Sequence, residues 1–168
     1  LTSLIQWFSG NLWVVNVGVF LGSNYLGIVR ACQTILGIVN PLFQSFENIY
    51  PKETSKIFKE KGYLTMNNFI QQKNLKYFIL IMILSLIIFL NSERILSIFF
   101  TDDISKNYFL LGFLSFLLPL TSLQYFPQYG LRTLSKTFPI FLSYLLSSIF
   151  AIMFSPYMIK GFEMYGFI

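Results

Sequence analysis

The chain contains no histidine and a single cysteine, Cys32, among its 168 residues. A disulfide framework within it is therefore excluded, as are Cys/His metal sites and any Ser-His-Asp or Cys-His catalytic pair. Charge is scarce as well. Only 11% of the residues are Asp, Glu, Lys or Arg, against about 25% in a soluble domain whose surface must stay wetted. No phosphate-cradling glycine-rich loop and no metal motif occurs, so no enzyme activity is expected and no cofactor is implied. No segment alternates with the period of two that a membrane barrel strand requires.

What fills the chain instead is apolar. Hydrophobic residues make up 55%, with 20 Phe and 10 Tyr, and the mean hydropathy is +0.63. The run YFILIMILSLIIFL, Tyr77–Leu90, carries no charge. Extended through Ile95–Phe100 it passes the roughly 20 residues needed to cross hydrocarbon. Backbone groups inside lipid are satisfied only by helices or closed barrels. The pattern therefore predicts an all-α integral membrane protein, a polytopic transmembrane helix bundle of about five spans.

These spans are expected at 1–21, 25–50, 77–98, 106–126 and 137–158, with 51–76 as a polar segment at the interface. The turn Gly22–Asn24 separates the first two, Asp102–Asp103 precede the fourth, and Pro127 and Pro139 mark later boundaries. Asp102–Asp103 are read as a solvated helix start, since no partner base or third ligand lies nearby. The first residues, LTSLIQWFSG, lack an initiator Met and a basic signal-peptide region, and the last, KGFEMYGFI, are still rising in hydropathy. A piece of a longer membrane protein is expected.

Lysine and arginine set an orientation. Lys52, Lys56, Lys59, Lys61, Lys73, Lys76, Arg132 and Lys136 fall in connections on one side. Arg94, Lys106 and Lys160 fall on the other. The positive-inside rule places the first group, and so the connections 51–76 and 127–137, in the cytoplasm of a multi-pass inner-membrane protein. The same bias accounts for the +5 net charge, and no nucleic-acid partner is implied.

Within the oily stretch IVRACQTILGIVNPLFQSFENIY, Arg30, Gln33, Gly37, Asn40, Gln44 and Glu47/Asn48 recur at spacings of three and four. That spacing places them on one helical face. Intramembrane polar groups face a bundle interior or water, so the stripe is read either as a cavity wall or as interhelical glue. For Arg30 the competing reading is snorkelling to headgroups. Glu47 is a possible proton or ion site, or it pairs with Lys52 or caps the interface. Gly37 and Pro41 are candidates for a hinge, because proline removes a helical hydrogen bond. The first span repeats the pattern more weakly through Gln6, Ser9/Gly10, Trp13 and Asn16. Gly18 and Gly22 there form a GxxxG pair suited to close packing.

Leu26–Lys56, LGIVRACQTILGIVNPLFQSFENIYPKETSK, resembles a helix of the multidrug/oligosaccharidyl-lipid/polysaccharide exporter superfamily. The polysaccharide (Wzx-type) flippases are the nearest likeness. The positions that carry it are Gly27, Arg30, Ala31, Gln33, Asn40, Glu47, Asn48 and Pro51. Lys52 departs from the small residue or proline of the pattern. KETSKIFKEKG, FILIMILSLIIFL, ILSIFFTDD, GLRTLSKTFPIF and GFEMYG follow in the family's order. The resemblance implies the C-terminal six-helix lobe, in part, of a twelve-span two-lobe transporter. Such a protein flips lipid-linked oligosaccharide by alternating access and requires an N-terminal lobe as partner. It implies that Arg30 meets a diphosphate, with Gln33, Asn40, Gln44 and Asn16 lining the cavity. A MATE-like cation-coupled antiporter using Glu47, and a non-transporting membrane scaffold subunit, remain as alternatives.

Overall fold

A computed structural model describes the backbone of residues 2–162 and, within it, the side chains of all but residues 2–4, 6, 8, 9, 102 and 162. The described chain is helical, without strands. Its elements are α1 (Thr2–Leu21), α2 (Ser23–Leu36), a single 3-10 turn (Gly37–Val39) and α3 (Asn40–Leu90). Then come α4 (Ser92–Phe99), α5 (Asp102–Ser105), α6 (Tyr108–Ser115), α7 (Leu117–Thr133) and α8 (Phe138–Phe162). Among the described residues, three helical stretches are long and apolar enough to cross a membrane: Ser23–Leu90, Tyr108–Thr133 and Phe138–Gly161. Gly10–Leu21 is apolar but shorter.

The longest of these stretches is not one rod. Gly62 adopts φ 79°, ψ −179°, a conformation open essentially to glycine alone, and the chain doubles back there. The rings of Phe46 and Tyr77 lie 4.2 Å apart between centroids, whereas a straight helix would separate them by about 45 Å. Tyr50 and Tyr77 also share a hydroxyl hydrogen bond. Segment 51–76, expected as an interfacial strip, is thus the closed end of an antiparallel helical hairpin. Gly62→Ala is expected to destabilise the fold by about 1–3 kcal/mol, read as a lowered thermal midpoint of the purified protein.

Pro41, Pro119 and Pro139 lie where helices begin, whereas Pro51 and Pro156 lie inside α3 and α8. Pro41 is in the first turn of α3, and Pro119 in the first turn of α7. Their missing N–H groups belong to the positions that have no intrahelical partner anyway. The carbonyl of Gly37, which Pro41 cannot bond, instead accepts the N–H of Asn40 across the 3-10 turn. The span expected as one kinked helix therefore tightens at Gly37–Val39. Pro127 behaves otherwise and lies inside α7. Helix α7 runs on to Thr133, carrying Gln128 and Arg132 on a helix rather than in a connection. Its end is fixed by paired bonds, Lys136 N–H to Leu131 O at 2.8 Å and Ser135 N–H to Arg132 O at 3.0 Å. This is a Schellman arrangement in which Ser135 takes φ 57°. Ser135→Gly relieves that left-handed backbone and is expected to stabilise by about 1 kcal/mol, visible as a raised midpoint.

Packing centres on α3 against α7 and on α1 against α8, with α2 joining α1 and α6. Between the two limbs of α3 and α7 lies an aromatic core. Tyr77 stacks on Phe126 at 5.3 Å, Tyr50 meets Phe126 at 5.0 Å, and Phe43 stacks on Tyr125 at 4.9 Å. Elsewhere helices are joined by small polar groups. Buried Ser85 donates to Ser115 Oγ at 3.2 Å, and Ser115 Oγ donates to Ser85 O at 3.1 Å. Gly112 next to them lets Phe89 approach to within 3.0 Å of where a Cβ would sit. In lipid, where apolar burial adds little between helices, such contacts carry much of the association. The GxxxG pair divides: Gly18 packs against Leu26, while Gly22 takes the positive φ of the α1–α2 turn.

Candidate substrate-binding groove

Helix α2 and the start of α3 present three sectors. Val29, Ile35, Val39, Phe43 and Phe46 are buried in the bundle. Ile38 and Ile49 are bare and apolar, 68% and 52% exposed. Between these sectors runs the polar stripe, with Arg30, Asn40, Gln44, Glu47 and Asn48 exposed and Gln33 and Gly37 half-buried. The stripe is not packed into its own bundle. Arg30 Nη1 donates to Gln33 Oε1 at 3.0 Å one turn along the same helix.

Part of the stripe forms a groove. A cleft of about 320 Å³ is bounded by Gln33, Gly37 and Asn40 on one wall and by Leu118, Thr121 and Tyr125 on the other. A second cleft of about 300 Å³ shares Thr121 and Tyr125 and continues to Glu47, Gln124, Gln128, Arg132 and Tyr144, with Gly10 at its edge. The shared residues make them successive parts of one groove, and each volume is in the range of small-molecule sites. Its far wall is a second polar stripe, Thr121, Gln124, Gln128 and Arg132 on α7, at spacings of three and four. Sequence reading passes over this stripe because it ends the fourth span at Pro127 and assigns Arg132 to a loop. The signal that finds it is the 3–4 periodicity used for α2–α3, carried through the proline.

Two interactions stitch this end. Arg132 Nη1 donates to Glu47 Oε1 at 3.1 Å, and Gln128 Nε2 donates to Tyr144 OH at 3.3 Å. Glu47 thus finds its partner on α7, 85 positions away in the chain, rather than Lys52. Both side chains are about half exposed, 50% for Glu47 and 44% for Arg132, so solvent screens the pair. A double-mutant cycle of Glu47→Gln and Arg132→Gln is expected to give a coupling below about 1 kcal/mol.

No protein-family model, curated protein or solved structure matches the chain.

The expected site residues therefore separate by position. Gln33, Gly37, Asn40 and Glu47 line the groove. Arg30 and Gln44 stand on the same uncovered face, outside the lining of the two clefts. Pro41 is exposed beside them at the head of α3. Asn16 is elsewhere. Half-buried on α1 and outside the lining of the two clefts, it donates from Nδ2 to Ser155 Oγ on α8. Gln6 and Ser9 lie outside the described side chains. Asp103 forms a 3.7 Å exposed pair with Lys106, and Thr101 O accepts the N–H groups of Ile104 and Ser105.

Proposed function

We propose that the chain contributes five membrane passes to the second lobe of a twelve-span transporter that flips lipid-linked oligosaccharide across the cytoplasmic membrane. The observation that carries the reading is the groove together with the uncovered polar face beside it. An amide left in hydrocarbon without a partner costs several kcal/mol, on the order of 4–8 against an alkane reference. A stripe of them along a span therefore needs water or another protein unit. A lobe that faces a second lobe across an aqueous cavity meets that need, and rocking of the two lobes exposes the cavity to each side in turn. The 3-10 turn at Gly37–Val39 tightens the lining helix part-way along the groove, and mid-helix stretches of this kind often mark functional hinges. Lysines of the hairpin end, with Arg132 and Lys136, support a cytoplasmic position for that end under the positive-inside rule.

The MATE-like alternative needs a free acid in the cavity, and Glu47 is engaged by Arg132. A scaffold role draws support from Asn16–Ser155 and Ser85–Ser115, where polar groups do act as glue. The test is transport by the full-length protein in proteoliposomes loaded with polyprenyl-diphosphate oligosaccharide. Flipping appears as protein-dependent growth of the fraction that an external glycosidase removes. A fraction equal to that of protein-free vesicles overturns the reading.

A further inference from the structure

We infer that the groove between α2–α3 and α7 is a subsite for uncharged, polyhydroxylated matter, the glycan portion of a substrate, and not for a diphosphate or an organic cation. The inference deepens the flippase reading and takes its physiological ligand from it. Among the described lining residues, chemical fit selects the class of ligand. A phosphate group asks for an unpaired arginine fork or lysine. Arg132, the one lining cation, has the Glu47 carboxylate beside it at 3.1 Å, which cancels its charge and would repel an incoming phosphate. Arg30 stands outside the lining and turns to Gln33. A cationic ligand asks for an unpaired carboxylate, and Glu47, the one lining acid, is held by the same arginine. The local charge is therefore balanced.

What remains is a high density of neutral hydrogen-bonding groups. Four planar amides, Gln33, Asn40, Gln124 and Gln128, and the hydroxyl of Thr121 occupy the two walls. Each amide offers two donors and an acceptor with two lone pairs. That complements a sugar hydroxyl, which both donates and accepts. Tyr125 belongs to both clefts and is held by stacking on Phe43. An aromatic body with a polar tip suits a ligand whose rings have apolar C–H faces and polar rims. A purely apolar ligand would strip water from the amide groups that have no protein partner, which is costly.

The test uses the full-length protein in nanodiscs with Gln124→Cys as its single reactive thiol, and follows modification by a membrane-impermeant maleimide. Three probes compete: the oligosaccharide released by mild acid from the producing cells' lipid-linked pool, inorganic pyrophosphate, and tetraethylammonium. The oligosaccharide, near ten times its half-protecting concentration, is expected to slow labelling about ten-fold, with the other two inert. Thr121→Cys gives the same order of probes if Gln124→Cys folds poorly. Protection by pyrophosphate or tetraethylammonium in place of the sugar overturns the inference. So does a thiol that never labels, or one that no probe protects. Flipping by the unmodified protein separates the two readings. Flipping without sugar protection sinks the subsite alone, and sugar protection without flipping sinks the transport reading alone.

Discussion

Phe126→Ala is expected to lower the stability of the folded protein by about 3 kcal/mol, the low end of the 3–5 typical for Phe→Ala. Phe126 is 1% exposed and stands where both limbs of the α3 hairpin meet α7. Its ring is 5.3 Å from Tyr77, 5.0 Å from Tyr50, 5.8 Å from Tyr129 and 6.1 Å from Phe46. Truncation leaves a void ringed by large side chains that cannot all move inward together. The low end applies because lipid tails solvate an exposed ring nearly as well as the core does. The loss then comes from broken contacts and the cavity rather than from transfer to water. Phe150, 55% exposed on α8, provides the control, with a change within about 0.5 kcal/mol. Denaturant or thermal unfolding of both variants in one detergent makes the measurement. Equal effects would mean that the hairpin is not clasped by α7 through this ring.

The hairpin that Phe126 clasps is only partly legible in the sequence. Helical, membrane-type character is legible in composition alone, because lipid leaves the backbone so few options. The polar face of α2–α3 is legible because a helix repeats every 3.6 residues whatever surrounds it. The reversal itself follows from alternating spans on either side of the basic connection 51–76, whereas its sharpness rests on one glycine, Gly62, in a lysine-rich stretch and shows only in the backbone. Pro127 misleads in the other direction: membrane helices tolerate proline when neighbours supply what it removes, so α7 continues and brings Gln128 and Arg132 to the groove. Asn16 shows what periodicity leaves out. Its 3–4 spacing from Trp13 matches that of a cavity residue, and only the placement of Ser155, 139 positions away, assigns it to the α1–α8 contact. Glu47 repeats that lesson, since Lys52 is near in sequence while Arg132 is near in space.

The larger effect expected of the site is on chemical accessibility. Single cysteines at Gln33, Asn40, Gln44, Thr121, Gln124 and Gln128, with Cys32 replaced by Ala, should react with a membrane-impermeant maleimide in the full-length protein. Cysteines at Val29, Val39 and Phe126, all buried, should stay silent. The contrast is expected to exceed about ten-fold in rate, because the reacting species is the thiolate and it scarcely forms away from water. Buried positions alone would not decide between a cavity wall and an ordinary surface. Ile38 and Ile49 do decide it. They are bare of protein, 68% and 52% exposed, yet they lie on the apolar sector of the same helix. If hydrocarbon covers that sector and water covers the polar one, Ile38→Cys and Ile49→Cys will be as silent as Val39→Cys while Gln44→Cys reacts. Equal labelling of Ile38 and Gln44 would mean that water does not distinguish the two sectors, and the groove would lose its claim to be part of a cavity. Silence at both would place the stripe against another protein surface, where its amides act as glue.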